Sequence, residues 1–190
     1  MSGGVRGRRV ASPPSTWFAI QIKELPNFQR ELSVRAAYAA GMAEPFRHHH
    51  RVSYAECTVG DHIYHARYLD LLEAARGEFL RSLEQTVRQL QDADFIFPVI
   101  EARLRFLAPA RYDDWLTIEV WPTLVERVRL NFGHRIRNQN GKLILEAETF
   151  HCCTSREEKP RRLPPALVTR LKPLLVLENV SGPGVSTGLP

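Results

Sequence analysis

Four successive runs in which every second residue is apolar decide what this chain can fold into. Ile100, Ala102, Leu104 and Phe106 alternate with Glu101, Arg103 and Arg105, and Leu116, Ile118 and Val120 alternate with Thr117 and Glu119. Val128, Leu130, Phe132, His134 and Ile136 alternate with Arg127, Arg129, Asn131, Arg135 and Arg137; Leu143, Leu145, Ala147, Thr149 and His151 alternate with Lys142, Glu146 and Glu148. Side chains of a strand point alternately to its two faces. A period of two with one polar set therefore predicts strands packed on one face and wetted on the other, the pattern of an antiparallel sheet. Asn138-Gln139-Asn140-Gly141 supplies the hairpin turn between the last two.

A helix precedes these strands. Between Tyr64 and Leu83 the apolar residues Tyr68, Leu69, Leu72, Ala75, Phe79 and Leu83 recur at three- and four-residue spacing. Gly77 costs this helix about 1 kcal/mol relative to alanine, a cost expected to permit close packing against a sheet. His50–Cys57 reads as a further strand with Val52, Tyr54 and Glu56 on one face, and a short helix follows the prolines over about 165–175. The expected class is α+β, a five-stranded antiparallel sheet curled around one long central helix. One helix cannot cover such a sheet on every side, so an edge or face is left for association with another copy.

Composition sets the remaining bounds. The chain has 190 residues, 44% hydrophobic and 25% charged, which suits one domain. Its apolar runs fall short of the roughly 20 residues of a membrane helix, so no membrane partner is expected. The domain is placed at 47–176, after an N-terminal extension 1–46 rich in Ser, Gly, Pro and Arg, partly disordered with a loosely periodic helix over 28–42, and before a disordered tail 177–190. The extension reads as a basic leader or an upstream start. The chain's formal charge of +5 lies in residues 1–51, which carry eight basic and three acidic groups, while the rest is balanced at 18 of each. The body is therefore not a polyanion binder, and no nucleic-acid partner is expected. Cys57 and the adjacent Cys152 and Cys153 read as reduced thiols of a cytoplasmic protein. His48-His49-His50 is a solvated basic loop, because consecutive strand residues point to opposite faces and cannot readily share one ion. His134 and His151 fall on the packed face as satisfied core histidines. No metal or cofactor is implied.

The segment Glu56-Cys-Thr-Val-Gly-Asp-His-Ile-Tyr-His-Ala-Arg-Tyr-Leu69, then Glu73-Ala-Ala-Arg76, Leu107-Ala-Pro-Ala-Arg-Tyr-Asp-Asp114 and Lys159-Pro-Arg-Arg-Leu-Pro164, resembles the hotdog-fold acyl-CoA thioesterases of the 4-hydroxybenzoyl-CoA thioesterase type. The likeness spans about residues 50–175. It implies hydrolysis of a CoA thioester to the free acid and CoA, in a homodimer or homotetramer with sites between subunits. It also implies that a backbone N–H at the start of the central helix, here that of His65, polarises the thioester carbonyl. The family's catalytic Asp position is held by Thr58 and a family Gly position by Asp61, a departed active site.

Thioester hydrolysis needs a carboxylate, or a water that one activates, and donors for the developing oxyanion. Asp61, in the loop before the helix, is the leading candidate for the displaced carboxylate, and also reads as a helix-capping charge. His62 is a general base near neutral pH or a positional residue. Glu73 is a helix-borne carboxylate or the ion-pair partner of Arg76 or of a strand Arg. Thr58, Tyr64 and Tyr68 are assigned to substrate binding, with core packing the alternative for Tyr68. Arg127, Arg129, Arg135 and Arg137 are candidates for the CoA phosphates or a solvated face. A non-catalytic acyl-CoA or acyl-carrier binder and a hotdog hydratase using an Asp/His pair are the rival functions.

Overall fold

The computed structural model describes residues 44–176; the helix expected over 28–42 and the tail after 176 lie outside them. The elements in chain order are β1 (Phe46–Arg51), a ribbon of β2 (Cys57–Thr58) and β3 (His62–Ile63), α1 (Arg67–Ser82) and α2 (Val87–Asp92). There follow β4 (Val99–Phe106), β5 (Trp115–Glu126), β6 (Arg129–Arg137), β7 (Leu143–Cys152) and α3 (Pro165–Leu171). The five long strands form one sheet in the order β1-β5-β6-β7-β4, every neighbouring pair antiparallel. The α+β expectation and the four alternating strands are borne out.

The sheet packs its inner face on α1. Tyr68, Leu71, Leu72, Ala75, Phe79 and Leu80 of α1 are buried against Leu116, Ile118, Val120, Phe132, Ile136 and Leu145. Leu69, read into the helical stripe, is instead 44% exposed. It lies about 100° around the helix from Tyr68, off the face carried by the 68, 72, 75, 79 spacing. Burying a Leu or Phe is worth about 1.5–3 kcal/mol, so this seam sets the position of α1. Gly77 does not serve close packing: a side-chain carbon there would meet nothing within 4 Å.

The first strand differs most from the sequence reading. It is Phe46–Arg51, not His50–Cys57, and Tyr54–Glu56 forms a short 3-10 turn with Tyr54 exposed and Val52 buried. The sequence FRHHHR carries no apolar alternation of its own. Its strand state comes from pairing with β5, Phe46 opposite Val120 and His50 opposite Leu116, and from the Phe46 ring lying 5.7 Å from that of Phe79. The three histidines thus sit on a strand, with His48 and His50 toward the core side and His49 outward against Trp115.

On the outer face one row crosses the sheet as Arg47, Glu119, Arg135, Glu146 and Arg105. Arg47 lies 3.6 Å from Glu119, Arg135 3.6 Å from Glu146, and Arg105 3.8 Å from Glu146. Arg135 also covers the Trp121 ring, which lies flat over Gly133 where any side chain would clash with it. Arg135 is thereby committed to the sheet. β4 is the edge strand opposite β1; its Ile100 and Phe106, read as core-facing, are 60% and 48% exposed, and its Val99 is 49% exposed.

Candidate active site

The chain between β1 and α1 doubles back on itself. Thr58 pairs with His62 and Cys57 with Ile63. The turn Val59-Gly60-Asp61 places Gly60 at φ +99° and Asp61 at φ +57°, and the Asp61 amide donates to Thr58 O at 3.2 Å. Glycine tolerates such a φ freely and aspartate better than most residues. The ribbon is tied down on two sides. Ile63 N donates to Ala110 O at 3.0 Å, and Tyr64 N to Glu56 O at 2.9 Å. The Glu56 carboxylate receives His50 Nε2 at 2.8 and 3.0 Å, the Ser53 amide at 2.6 Å and the Ser53 hydroxyl at 2.8 Å. Burial alone would raise the Glu56 pKa, but the Ser53 donors and His50 outweigh it and hold the carboxyl below its usual range.

The ribbon, the start of α1 and the end of β4 enclose an open cleft of about 360 Å³. Thr58, His62, Tyr64, His65 and Tyr68 line one side and Phe106, Ala108 and Pro109 the other. The Tyr68 hydroxyl accepts a hydrogen bond from Ala110 N at 3.3 Å, and its ring meets Phe106 edge-on at 5.4 Å. Burial raises its pKa, so it stays a neutral phenol that holds the far wall. The His65 ring lies 4.3 Å from Tyr64, and His62 Nδ1 lies 3.3 Å from Ile63 O. The His65 and Ala66 amides donate to no backbone carbonyl among the described residues. They precede the first turn of α1, where unsatisfied N–H groups and the helix dipole favour a developing negative charge.

Of the expected site residues, then, Thr58, His62, Tyr64, His65 and Tyr68 are brought together and two are not. Asp61 does not line the cleft. Its largely exposed carboxylate lies 3.7 Å from Arg111 Nη1, which also donates to the Gly60 and Asp61 carbonyls at 3.4 and 3.3 Å. The left-handed turn needed to close so short a ribbon aims the side chain away from the helix start. Glu73 stands exposed further along α1, beside a second cavity shared with Arg76 and His151. It makes no ion pair within 4 Å among the described residues, so the expected bond to Arg76 is absent as a contact, although its charge still favours the guanidinium. The cleft thus holds backbone N–H groups before the helix start and the hydroxyls of Thr58, Tyr64 and Tyr68, and no carboxylate among its lining side chains. The sequence reading missed the His50–Glu56 clamp and the wall of Ala108–Ala110. The signal for the wall was present in Leu107-Ala-Pro-Ala110, a short apolar link ending a strand.

The sequence model of the Thioesterase superfamily matches residues 60–145. The chain is 35% identical over 128 residues to the acyl-CoA thioester hydrolase YbgC of Escherichia coli, covering 67% of this chain and 96% of that one. It is 28% identical over 119 residues to the 1,4-dihydroxy-2-naphthoyl-CoA hydrolase of Thermosynechococcus vestitus, covering 62% and 82%. Among solved structures, the hypothetical protein TT1821 of Thermus thermophilus superposes with a TM-score of 0.64 at 29% identity over 67% of this chain and 98% of that one. With its sheet order, its single long inner helix and these likenesses, the chain belongs to the thioesterase superfamily.

Proposed function

We propose that the protein hydrolyses acyl-CoA thioesters in a site completed across a homodimer. The observation that carries the reading is the free His65 amide at the N-terminus of α1, opening on a cleft whose far wall is apolar. A thioester carbonyl placed there gains its hydrogen bond as charge builds on oxygen, which is where such a donor accelerates acyl transfer. Thr58 orients the water. Its hydroxyl is no base; of the lining imidazoles His62 is engaged with Ile63 O at 3.3 Å, and in this reading the base is a carboxylate brought in from outside the protomer's own cleft.

The exposed edge of β4 supplies the route. An unpaired strand edge with exposed Val99, Ile100 and Phe106 is a surface that proteins cover. Antiparallel pairing of two β4 edges about a two-fold axis centred between Ala102 and Arg103, the register of this proposal, sets Phe106 of one protomer at the far end of the partner's β4. Phe106 borders the cleft, whereas the chain leading into Val99 borders the cavity that carries Glu73. Glu73 of the partner subunit is in this reading the base, and Asp61 with Arg111 fixes the ribbon. A hydratase would need Asp61 and His62 acting together, and the turn of Asp61 toward Arg111 speaks against that pair. The three unpaired cysteines fit a reducing cytoplasm, and among the described residues no helix is long and apolar enough to cross a membrane.

The test is a panel of CoA thioesters followed by free-thiol detection. Enzymatic thiol release is the expected result. Tight acyl-CoA binding with no thiol release would instead establish a non-catalytic binder.

A further inference from the structure

The second cavity, of about 200 Å³, lies between α1, α2 and the inner face of the sheet. Its walls are mostly apolar, with Leu80, Leu90, Phe97, Leu130 and Phe132 among them; Glu73 and Gln91 are exposed polar residues of the lining, and Arg76 and His151 are the polar side chains set deeper in it. His151 is fully engaged: Nδ1 is 3.2 Å from Phe97 O and Nε2 is 3.1 Å from Thr149 Oγ1, which also meets His134 Nε2 at 3.2 Å. Arg76 is half-buried and makes no hydrogen bond or ion pair within 4 Å among the described residues. Nearby, the buried His134 Nδ1 also lacks a partner. A guanidinium presents five donors in a planar fork matched to a carboxylate, and leaving it unpaired in an apolar wall is costly. Gly77 lines the same cavity and the shallower groove beside it, with open space where a side chain would stand. The chain accepts the helix-weakening cost of glycine there without any packing need for it.

We propose that this cavity seats the acyl group, and that Arg76 selects acyl chains ending in a carboxylate, the half-thioesters of short dicarboxylic acids. The inference rests on the hydrolase reading and names its substrate class. Within one protomer Tyr68 at the cleft and Arg76 at the cavity stand eight residues apart on α1, about 12 Å at 1.5 Å per residue, longer than so small a group spans. Across the paired β4 edges they become neighbours, so the thioester sits by His65 of one subunit and the chain enters the cavity of the other. The volume limits the chain: a cavity of about 150 Å³ holds benzene, so about 200 Å³ takes roughly six to eight heavy atoms. The exposed position of Glu73 leaves its charge screened by water and the Arg76 fork free for the ligand.

The experiment compares adipyl-CoA with hexanoyl-CoA, equal in chain length and different in terminal charge. Wild type should favour adipyl-CoA in kcat/KM by at least ~10-fold, the scale of one charge-assisted hydrogen bond. Arg76→Met should cut the adipyl-to-hexanoyl ratio by at least ~30-fold, mainly through KM, and Arg76→Lys, which keeps charge but loses the fork, by about 5-fold. Gly77→Leu should lower kcat/KM for both and shift preference toward acetyl-CoA. A wild-type preference for hexanoyl-CoA, or a ratio unmoved by both Arg76 variants, overturns the proposal; where Arg76→Met does not fold, Arg76→Lys and Gly77→Leu decide. If no CoA thioester is turned over, the hydrolase reading fails separately, and calorimetric Kd values decide this one. Tighter binding of adipyl-CoA that depends on Arg76 upholds it, and equal affinities overturn it.

Discussion

The Ala110 amide hydrogen-bonds to the Tyr68 hydroxyl at 3.3 Å, joining the first turn of α1 to a loop 42 residues away. That bond holds the apolar wall against the helix start, so the width of the cleft depends on it. Tyr68→Phe removes the acceptor and leaves a buried N–H unpaired, which should cost about 1–3 kcal/mol. Thermal unfolding should show the loss, and kcat/KM should fall several-fold as Ala108 and Pro109 loosen. Unchanged melting temperature and activity would mean that the loop is held elsewhere.

The Glu56 carboxylate clamps β1 to the ribbon through His50 and Ser53. Its folded-state pKa is lowered, so its contribution is present above the ordinary carboxylate value and lost as pH falls through and below about 4.5. Glu56→Gln should remove about 1–3 kcal/mol at neutral pH and much less near pH 3. Urea unfolding of both proteins at the two pH values checks this, and an equal difference at both would contradict it.

His134 and His151 should govern a different pH window. Burial, then the Arg76 charge, pushes them down to about 3 and about 4. Both lie below the ordinary 6.5, so on acidification the unfolded chain binds protons first. The stability is complete above about pH 6.5 and is lost as pH falls from there toward 4. Replacing both residues by Gln should flatten the unfolding free energy over that window. Arg76→Met should raise both pKa values in NMR titrations, and no movement would place the guanidinium away from the pair.

The sheet was legible because β4 to β7 carry their period in their own residues. The first strand was not, because Phe46–Arg51 owes its state to Leu116–Val120 and holds no periodic apolar set. In the site, Thr58, His62, Tyr64, His65 and Tyr68 were found through their spacing from the helix start. The direction of Asp61 was hidden, since it depends on two consecutive positive-φ residues and on Arg111, 50 residues away. The two-stranded ribbon and α2 escaped notice because elements of two and six residues carry too little period to see.

The β4 edge should hold the dimer. Ile100→Asp places a charge on that exposed edge without touching the packed core. Sedimentation should show a dimer or tetramer for wild type and monomer for the variant, with thioesterase activity down at least ~100-fold at nanomolar enzyme. A fully active monomer would refute the shared site.

The most direct measurement is the steady-state kcat of Glu73→Gln against Asp61→Asn, each checked for fold and assembly. Loss of a general base costs about 10²–10⁴ in rate. The account expects Glu73→Gln to lose at least ~100-fold in kcat while Asp61→Asn stays within about 3-fold of wild type. A Glu73→Gln enzyme with full activity, beside an inactive Asp61→Asn, would contradict it and return the carboxylate to the ribbon.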